Sequence, residues 1–423
     1  MDGSPILLGL RGGLTREQVG GKAASLARLV ELGLPVPRAW VVPTEQLDAH
    51  VQALGLAPIA QAVEQHLRAG DRRAAEAAAR HLRTAVQAAA LPEALEDALR
   101  VVVETLPASG RLAVRSSATV EATRGASFAG QFETYLGVAT LDEVSTALRA
   151  GWASLWAPGV LRYRAALQRD LSVAPRMAVL VQWLVSAEAA GACRANTAVA
   201  DVEAVWGLGV GLTSGMVDPD AFRVTREGSL ISTRLGIKAM RAEAVSGNTV
   251  WQGASEAVAA APCLAPAAVC AVAGLAFQVS KAEGTPVELE WALADGTAWA
   301  LQWRPSPPPA PVVEGNGEGD LQGVPASPGL ATGRVVVVRD VPDLVRAGPG
   351  DVIAVRYFAP QLAPRFRGAA IVTEAGGTCS HGSVIARERG IPLVVSVPGA
   401  TRRLRTGMIV RVDGATGTVS IVG

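Results

Sequence analysis

Apolar residues recur along this chain with two periods, and the change from one to the other marks its elements. From Gly21 to Leu34 the residues Ala23, Leu26, Leu29, Val30 and Leu34 fall near one helical face, and Gly33-Leu34-Pro35 reads as the stop. Val36 to Val42 then reads as a strand. Residues 59 to 106 are Ala-rich with helical spacing, whereas 111 to 138, 176 to 186 and 200 to 236 alternate β-branched runs with turns. Further on, Gly333 to Val338, Asp351 to Val355, Ala369 to Thr373, Leu393 to Val395 and Met408 to Val412 are short apolar strand candidates separated by Gly and Pro. The fold class this predicts is α/β, with helices and strands mixed.

The pattern breaks once, at Arg304-Pro305-Ser306-Pro307-Pro308-Pro309-Ala310-Pro311 and the acidic, Gly-rich Glu314-Gly315-Asn316-Gly317-Glu318-Gly319-Asp320. Proline favours an extended form and glycine a flexible one, so about 15 such residues can reach roughly 40 Å when stretched. The expected organisation is therefore a domain over residues 1–304, a Pro/Gly-rich linker over 305–322 and a small β/α domain over 323–423 that the linker lets travel.

Composition narrows the function classes. The 423 residues are 49% apolar, which supports folded domains, and 39 basic residues against 38 acidic ones leave a net charge of +1, so nothing favours nucleic acid or an anionic membrane surface. The start, Met1-Asp2-Gly3-Ser4-Pro5, lacks the basic patch and apolar core of a signal peptide, and no run reaches the roughly 18 apolar residues of a membrane span; a cytoplasmic protein is expected. Cys193, Cys263, Cys270 and Cys379 show no paired metal spacing and read as thiols. His50, His66 and His81 sit in predicted helices near no second ligand and read as structural or solvated.

Chemistry concentrates in three segments. In Thr373-Glu374-Ala375-Gly376-Gly377-Thr378-Cys379-Ser380-His381, followed by Gly382 to Pro392, a strand ends in paired glycines and a helix starts near Ser380 and stops at Gly390-Ile391-Pro392. His381 then lies in the first helical turn, where free backbone N–H groups stabilise an anion such as a phosphorylated imidazole. A second group joins Gly20-Gly21-Lys22, Ala113-Val114-Arg115-Ser116-Ser117 and Ala126-Ser127-Phe128-Ala129-Gly130-Gln131-Phe132-Glu133-Thr134, with glycines for close backbone approach and Lys22 and Arg115 as charges for a polyphosphate. A third pairs Glu288-Leu289-Glu290 with Gln302-Trp303-Arg304. Alternation along strands would put both carboxylates on one face, and Gln302 and Arg304 likewise, a donor set suited to Mg²⁺ beside an arginine.

These residues closely resemble the phosphoenolpyruvate-utilising family, which includes phosphoenolpyruvate synthase, pyruvate phosphate dikinase and rifampicin phosphotransferase. The match through Gly376-Gly377, Ser380-His381 and Ala386-Arg387-Glu388 is the most specific part. The resemblance implies an ATP-grasp domain followed by a swivelling phosphohistidine domain, without the family's pyruvate-binding barrel. It implies that His381 carries phosphate and that Lys22, Arg115, Gly130, Thr134, Gln182, Glu290, Gln302 and Arg304 bind ATP. Glu290 and Gln302 would also hold Mg²⁺, Gln182 would sit at the adenine hinge, and Arg304 would clamp a phosphate. The implied reaction cleaves ATP to AMP and passes phosphate from His381 to an acceptor that is pyruvate- or phosphoenolpyruvate-like or another small molecule, with the acceptor site on another polypeptide. A rifampicin-type phosphotransferase and a degenerate nucleotide-binding regulatory subunit are the alternatives. Val210 and Ala122 depart from the acidic residues usual in the family, and Cys379 replaces a Thr that some relatives use for regulation.

Overall fold

The apolar spacings of the first half become helices and strands in the computed structural model, which describes residues 5–121, 128, 130–167, 173–245, 247–307, 321–359, 362, 366 and 368–422. By packing, the chain forms two units, one of Met1–Ser186, Glu243–Val250 and Trp299–Arg304, the other of Ala187–Ala242, Trp251–Ala298 and Pro305–Gly423. Ala122 and residues 308–320, which carry most of the expected linker, lie outside the described residues.

The first unit opens with β1 (Leu8–Gly9), α1 (Arg16–Glu31), β2 (Ala39–Val42) and α2 (Thr44–Ala53), then α3 (Ala57–Arg68), α4 (Arg72–Ala88) and α5 (Glu93–Glu104). It continues with β3 (Leu112–Ala118), β4 (Thr134–Val138), α6 (Leu141–Ala153), α7 (Pro158–Leu167) and β5 (Met177–Trp183). Its sheet runs β1-β2-β5-β3-β4, antiparallel throughout. The Ala-rich helices place Val63 and Leu67, Ala75, Ala79, Leu82 and Val86, and Leu95, Leu99 and Val102 in one buried core with Trp152. These i, i+3/i+4 and i+7 spacings are the stripe an amphipathic helix needs.

Helix α1 starts five residues earlier than the sequence suggests. Thr15 and Gln18 form a capping box ahead of it, with Gln18 Oε1 accepting from Thr15 N at 3.2 Å, and Gly20 interrupts the helix at φ +74°. Strand β2 is shorter than Val36–Val42, because Pro35 and Pro37 cannot donate to a ladder. His50 is buried with its ring 5.3 Å from that of Trp152, and burial, then Arg149, holds its pKa below the ordinary histidine value. His66 is half-buried and His81 exposed.

In the second unit come β6 (Ala189–Ala195), β7 (Val199–Trp206), α8 (Val210–Thr213), β8 (Asp220–Thr225) and β9 (Leu230–Arg234). The hairpins β10 (Met240–Val245)–β11 (Asn248–Gly253) and β12 (Val287–Ala294)–β13 (Thr297–Pro305) carry the chain from unit to unit, with α9 (Glu256–Ala260) and α10 (Pro266–Glu283) between them. Strands β12, β6, β7, β8 and β9 lie side by side in that order, all antiparallel.

The C-terminal part contributes β14 (Leu321–Gln322), β15 (Val324–Ser327), β16 (Leu330–Val338), β17 (Val352–Val355), β18 (Ala370–Thr373), α11 (His381–Glu388), β19 (Leu393–Val395), α12 (Ala400–Arg403), β20 (Ile409–Asp413) and β21 (Thr418–Ile421). Its eight-stranded sheet runs β14-β21-β20-β16-β17-β18-β19-β15, with β16 to β19 parallel. Every residue of β17 and β18 is buried, as parallel strands covered on both faces require. The described cysteines are free thiols, and among the described residues no helix is long and apolar enough to cross a membrane.

Candidate functional site

Strand β18 delivers the chain into the loop 374–380, and α11 begins at His381. Ser380 is the N-cap; its Oγ accepts from Ser383 N at 3.3 Å, while Ser383 Oγ donates to Gly377 O at 2.7 Å. The helix closes where Ile391 N donates to Ala386 O at 2.9 Å and Gly390 takes φ +65°. Half-buried His381 thus holds the first helical position, beside backbone amides that the helix itself leaves unused. Arg387 does structural work here: its Nη1 donates to Thr378 O at 2.6 Å and Ala326 O at 2.9 Å, tying the helix to its own entry loop. Glu374 holds the loop from the other end, its Oε1 accepting from Thr401 N at 2.9 Å and Thr401 Oγ1 at 2.5 Å.

The same loop reaches β7, and Ser396 links it to Asp218, just ahead of β8. Glu203, 3% exposed on β7, accepts from Thr378 N at 2.6 Å, Thr378 Oγ1 at 2.7 Å and Cys379 N at 3.0 Å. The Ser396 hydroxyl lies within hydrogen-bond reach of the Asp218 carboxylate and of Gly376 O. Arg194 is buried on β6, 3.8 Å from Asp201. Burial works against its charge, but the Cys379 sulfur and the Glu203, Asp201 and Glu288 carboxylates outweigh that and raise its pKa. Sequence reasoning missed Glu203 and Asp218. Neither sits in a motif, and their partners lie about 175 residues away, so the pairing exists only in the fold.

In the first unit two separate sequence pieces meet. Gly20 packs so closely on β3 that a Cβ there would lie 1.9 Å from Ser117 O, and Ala23 N donates to Ser117 Oγ at 3.0 Å. Lys22 on this turn forms an ion pair with Glu121, whose other oxygen accepts from Ala118 N at 2.9 Å, and its Nζ lies 5.8 Å from the Phe132 ring centroid. Glu121 was also missed; its signal was an acid five residues after Ser116 in a segment read only for arginine and serine. Two residues before Ser117 and so on the same face of β3, Arg115 donates to Gln302 Oε1 at 2.8 Å, Leu301 O at 3.1 Å and, more weakly, Gln182 Oε1 at 3.4 Å. Thr134 is exposed directly opposite Arg115 in the β3–β4 register, and Gly130 is exposed at φ +65°. Gln182 is 3% exposed, and its buried Nε2 has no hydrogen-bond partner among the described residues.

Arg304 and Gln302 are half-buried on β13, two residues apart and on one face. Glu288 and Glu290 alternate on β12 as expected, Glu290 half-buried opposite Ala192 and Glu288 buried opposite Arg194. The structure therefore gathers Arg115, Gln182 and Gln302 in the first unit, while Glu290 and His381 belong to the second. Val210 opens α8.

Two family profiles match. Residues 16–308 fit the pyruvate phosphate dikinase AMP/ATP-binding domain, and residues 347–417 fit the mobile domain of PEP-utilising enzymes. A probable phosphoenolpyruvate synthase of Methanothermobacter thermautotrophicus is 30% identical, over 95% of this chain and 61% of that protein. The phosphoenolpyruvate synthase of Aeropyrum pernix is 33% identical and that of Pyrococcus furiosus 30%, each over 95% of this chain and 56% of the relative. The chain thus spans little more than half the length of these relatives. Its profile match over residues 16–308, joined to the mobile-domain match, shows that the chain belongs to the phosphoenolpyruvate-utilising family built on the pyruvate phosphate dikinase AMP/ATP-binding domain.

Proposed function

We propose that this chain is an ATP-dependent phosphotransferase of dikinase type. Residues 1–304 bind ATP, and His381 takes phosphate and carries it on domain 323–423, tethered by 305–322, to a pyruvate-like or other small-molecule acceptor on another polypeptide. The observation that carries this reading is the capped helix start that presents His381, joined to a family match over both halves of the chain. A nitrogen of His381 attacks the β-phosphorus of ATP, the bond to the α-phosphate oxygen breaks, and AMP leaves. The pyrophosphoryl group left on the imidazole then loses its γ-phosphate to water or phosphate, leaving phosphohistidine. Amides at the start of α11 stabilise the added charge.

Lys22 and Arg115 bind the phosphates, and Gly130 and Thr134, both exposed, contribute to the same nucleotide site. Gln182 faces adenine, where its unpartnered Nε2 suits a ring acceptor. Arg304 clamps the transferring phosphate by a fork that lysine cannot offer. For Mg²⁺ the proposed donors are the Glu290 carboxylate and the Gln302 amide oxygen, hard ligands of the kind that hold Mg²⁺ together with substrate phosphates; Gln302 Oε1 would have to give up the hydrogen bond it accepts from Arg115. Bound there, it would neutralise charge on the transferring phosphates.

The test uses Mg²⁺ and ATP labelled in its β-phosphate. The protein is expected to take up label that is acid-labile and base-stable, as phosphoimidazole is, and His381→Ala is expected to take up none. Label persisting in that variant would remove His381 from the mechanism.

A further inference from the structure

Three donors of the histidine loop converge on one carboxylate. Thr378 N and Thr378 Oγ1 bond to Glu203 Oε1, and Cys379 N bonds to Oε2. The fit leaves no room for a side chain between them, since a Cβ on Gly377 would lie 2.4 Å from Glu203 Oε2. Next to this contact, Cys379 is 2% exposed, and among the described residues its apolar cluster holds Ala192, Val205, Leu212 and Val217, with Trp251 packed against it. All of these come from residues 187–251. The side chain is thus a knob from the histidine loop set into a hole made by another part of the chain. Burial first, then Glu203 and Glu288, pushes the Cys379 thiol well up, so in this seat it is a poor nucleophile.

We propose that Glu203 is a positioning residue for phosphate loading: its carboxylate seats the histidine loop on β7, with Cys379 as the plug, and so fixes where His381 is presented. The positioning role rests on the phosphotransfer reading; the seat itself does not. Glutamate is the residue the geometry demands. Both of its oxygens face donors, whereas glutamine has one acceptor oxygen and would turn an N–H₂ against a backbone N–H. When the loop leaves its seat, the three hydrogen bonds break together and Cys379 meets solvent, which gives the seat a chemical reporter.

The experiment measures the rate at which N-ethylmaleimide modifies each cysteine of the full chain in a Cys270→Ser background, peptide by peptide by mass spectrometry. In Glu203→Gln the Cys379 rate is expected to rise about tenfold or more, and in Thr378→Val, which removes one of the three bonds, by a smaller factor. Cys193, fully buried in β6 of the same unit, is expected to stay unmodified in both. An unchanged Cys379 rate in Glu203→Gln would overturn the seat. If Cys193 is bared in Glu203→Gln, that variant has unfolded and Thr378→Val decides: a selective rise at Cys379 supports the seat, and none overturns it. A second arm follows labelling of His381 from β-labelled ATP. Its maximal rate is expected to fall in Glu203→Gln with the nucleotide concentration for half-maximal rate little changed, and a wild-type rate alongside a bared Cys379 would overturn the positioning role. No label even in the wild type, with Cys379 guarded there and bared in the variant, would sink the phosphotransfer reading and leave the seat standing.

Discussion

Gly20 and Gly33 hold nearly the same backbone angle, φ +74° and +70°, yet their surroundings differ. A Cβ on Gly33 meets nothing within 4 Å, whereas one on Gly20 lies 1.9 Å from Ser117 O. Gly33→Ala therefore costs only left-handed strain, about 1 kcal/mol. Gly20→Ala must also push α1 off β3, and is expected to cost about 3 kcal/mol or more. Urea unfolding of the two variants checks this, and equal midpoints would show that the contact between the turn and β3 adds nothing. Gly20→Ala is also expected to weaken ATP binding, because Lys22 rides on the same turn. This residue scale explains what was legible. Lys22 and Arg115 stand out as candidates because a fixed cation beside glycines or serines suits phosphate. Glu121 and Glu203 do not, because a lone carboxylate in a β-branched run reads as solvated until the fold supplies Lys22 or the amides of residues 378 and 379 as partners.

At the scale of elements, α11 depends on a cap that can be removed without touching His381. Ser380→Ala deletes the acceptor for Ser383 N, a loss of about 1 kcal/mol, and is expected to slow His381 labelling by about fivefold while nucleotide affinity stays as it was. Ser380→Thr, which keeps a neutral hydroxyl acceptor at the cap, should restore most of the rate; equal defects in both variants would show that the cap is not what matters. Elements with a strong period were legible. The stripes of α3, α4 and α5 and the short apolar runs of β17 and β18 follow from spacing alone. The start of α1 was not, because Gly20-Gly21 reads as a helix entry while the real entry is the capping box at Thr15.

For the whole molecule, a proline- and glycine-rich segment after Arg304 was visible in composition as an expected linker, most of which lies outside the described residues. The packing of residues 187–242 and 251–298 with 305–423 was not, since it depends on side chains far apart in sequence, such as Glu203 with Thr378. The stoichiometry of the reaction belongs to this scale, because it depends on one carrier serving one nucleotide site. If His381 attacks the β-phosphorus, each chain can release one AMP and then waits until its phosphohistidine is discharged. Without an acceptor, rapid mixing of the 423-residue chain with excess ATP and Mg²⁺ is expected to give a burst of about one AMP per active chain. A much slower phase should follow, set by hydrolysis of the carrier. Quenched-flow chromatography of the nucleotides reads both phases, with His381→Ala as the blank. ADP as the sole His381-dependent product would keep the carrier and reject β-phosphorus attack, because transfer of the γ-phosphoryl group leaves ADP. AMP production that runs at the wild-type rate in His381→Ala would mean that the nucleotide site discharges to water directly and that His381 is not on the path.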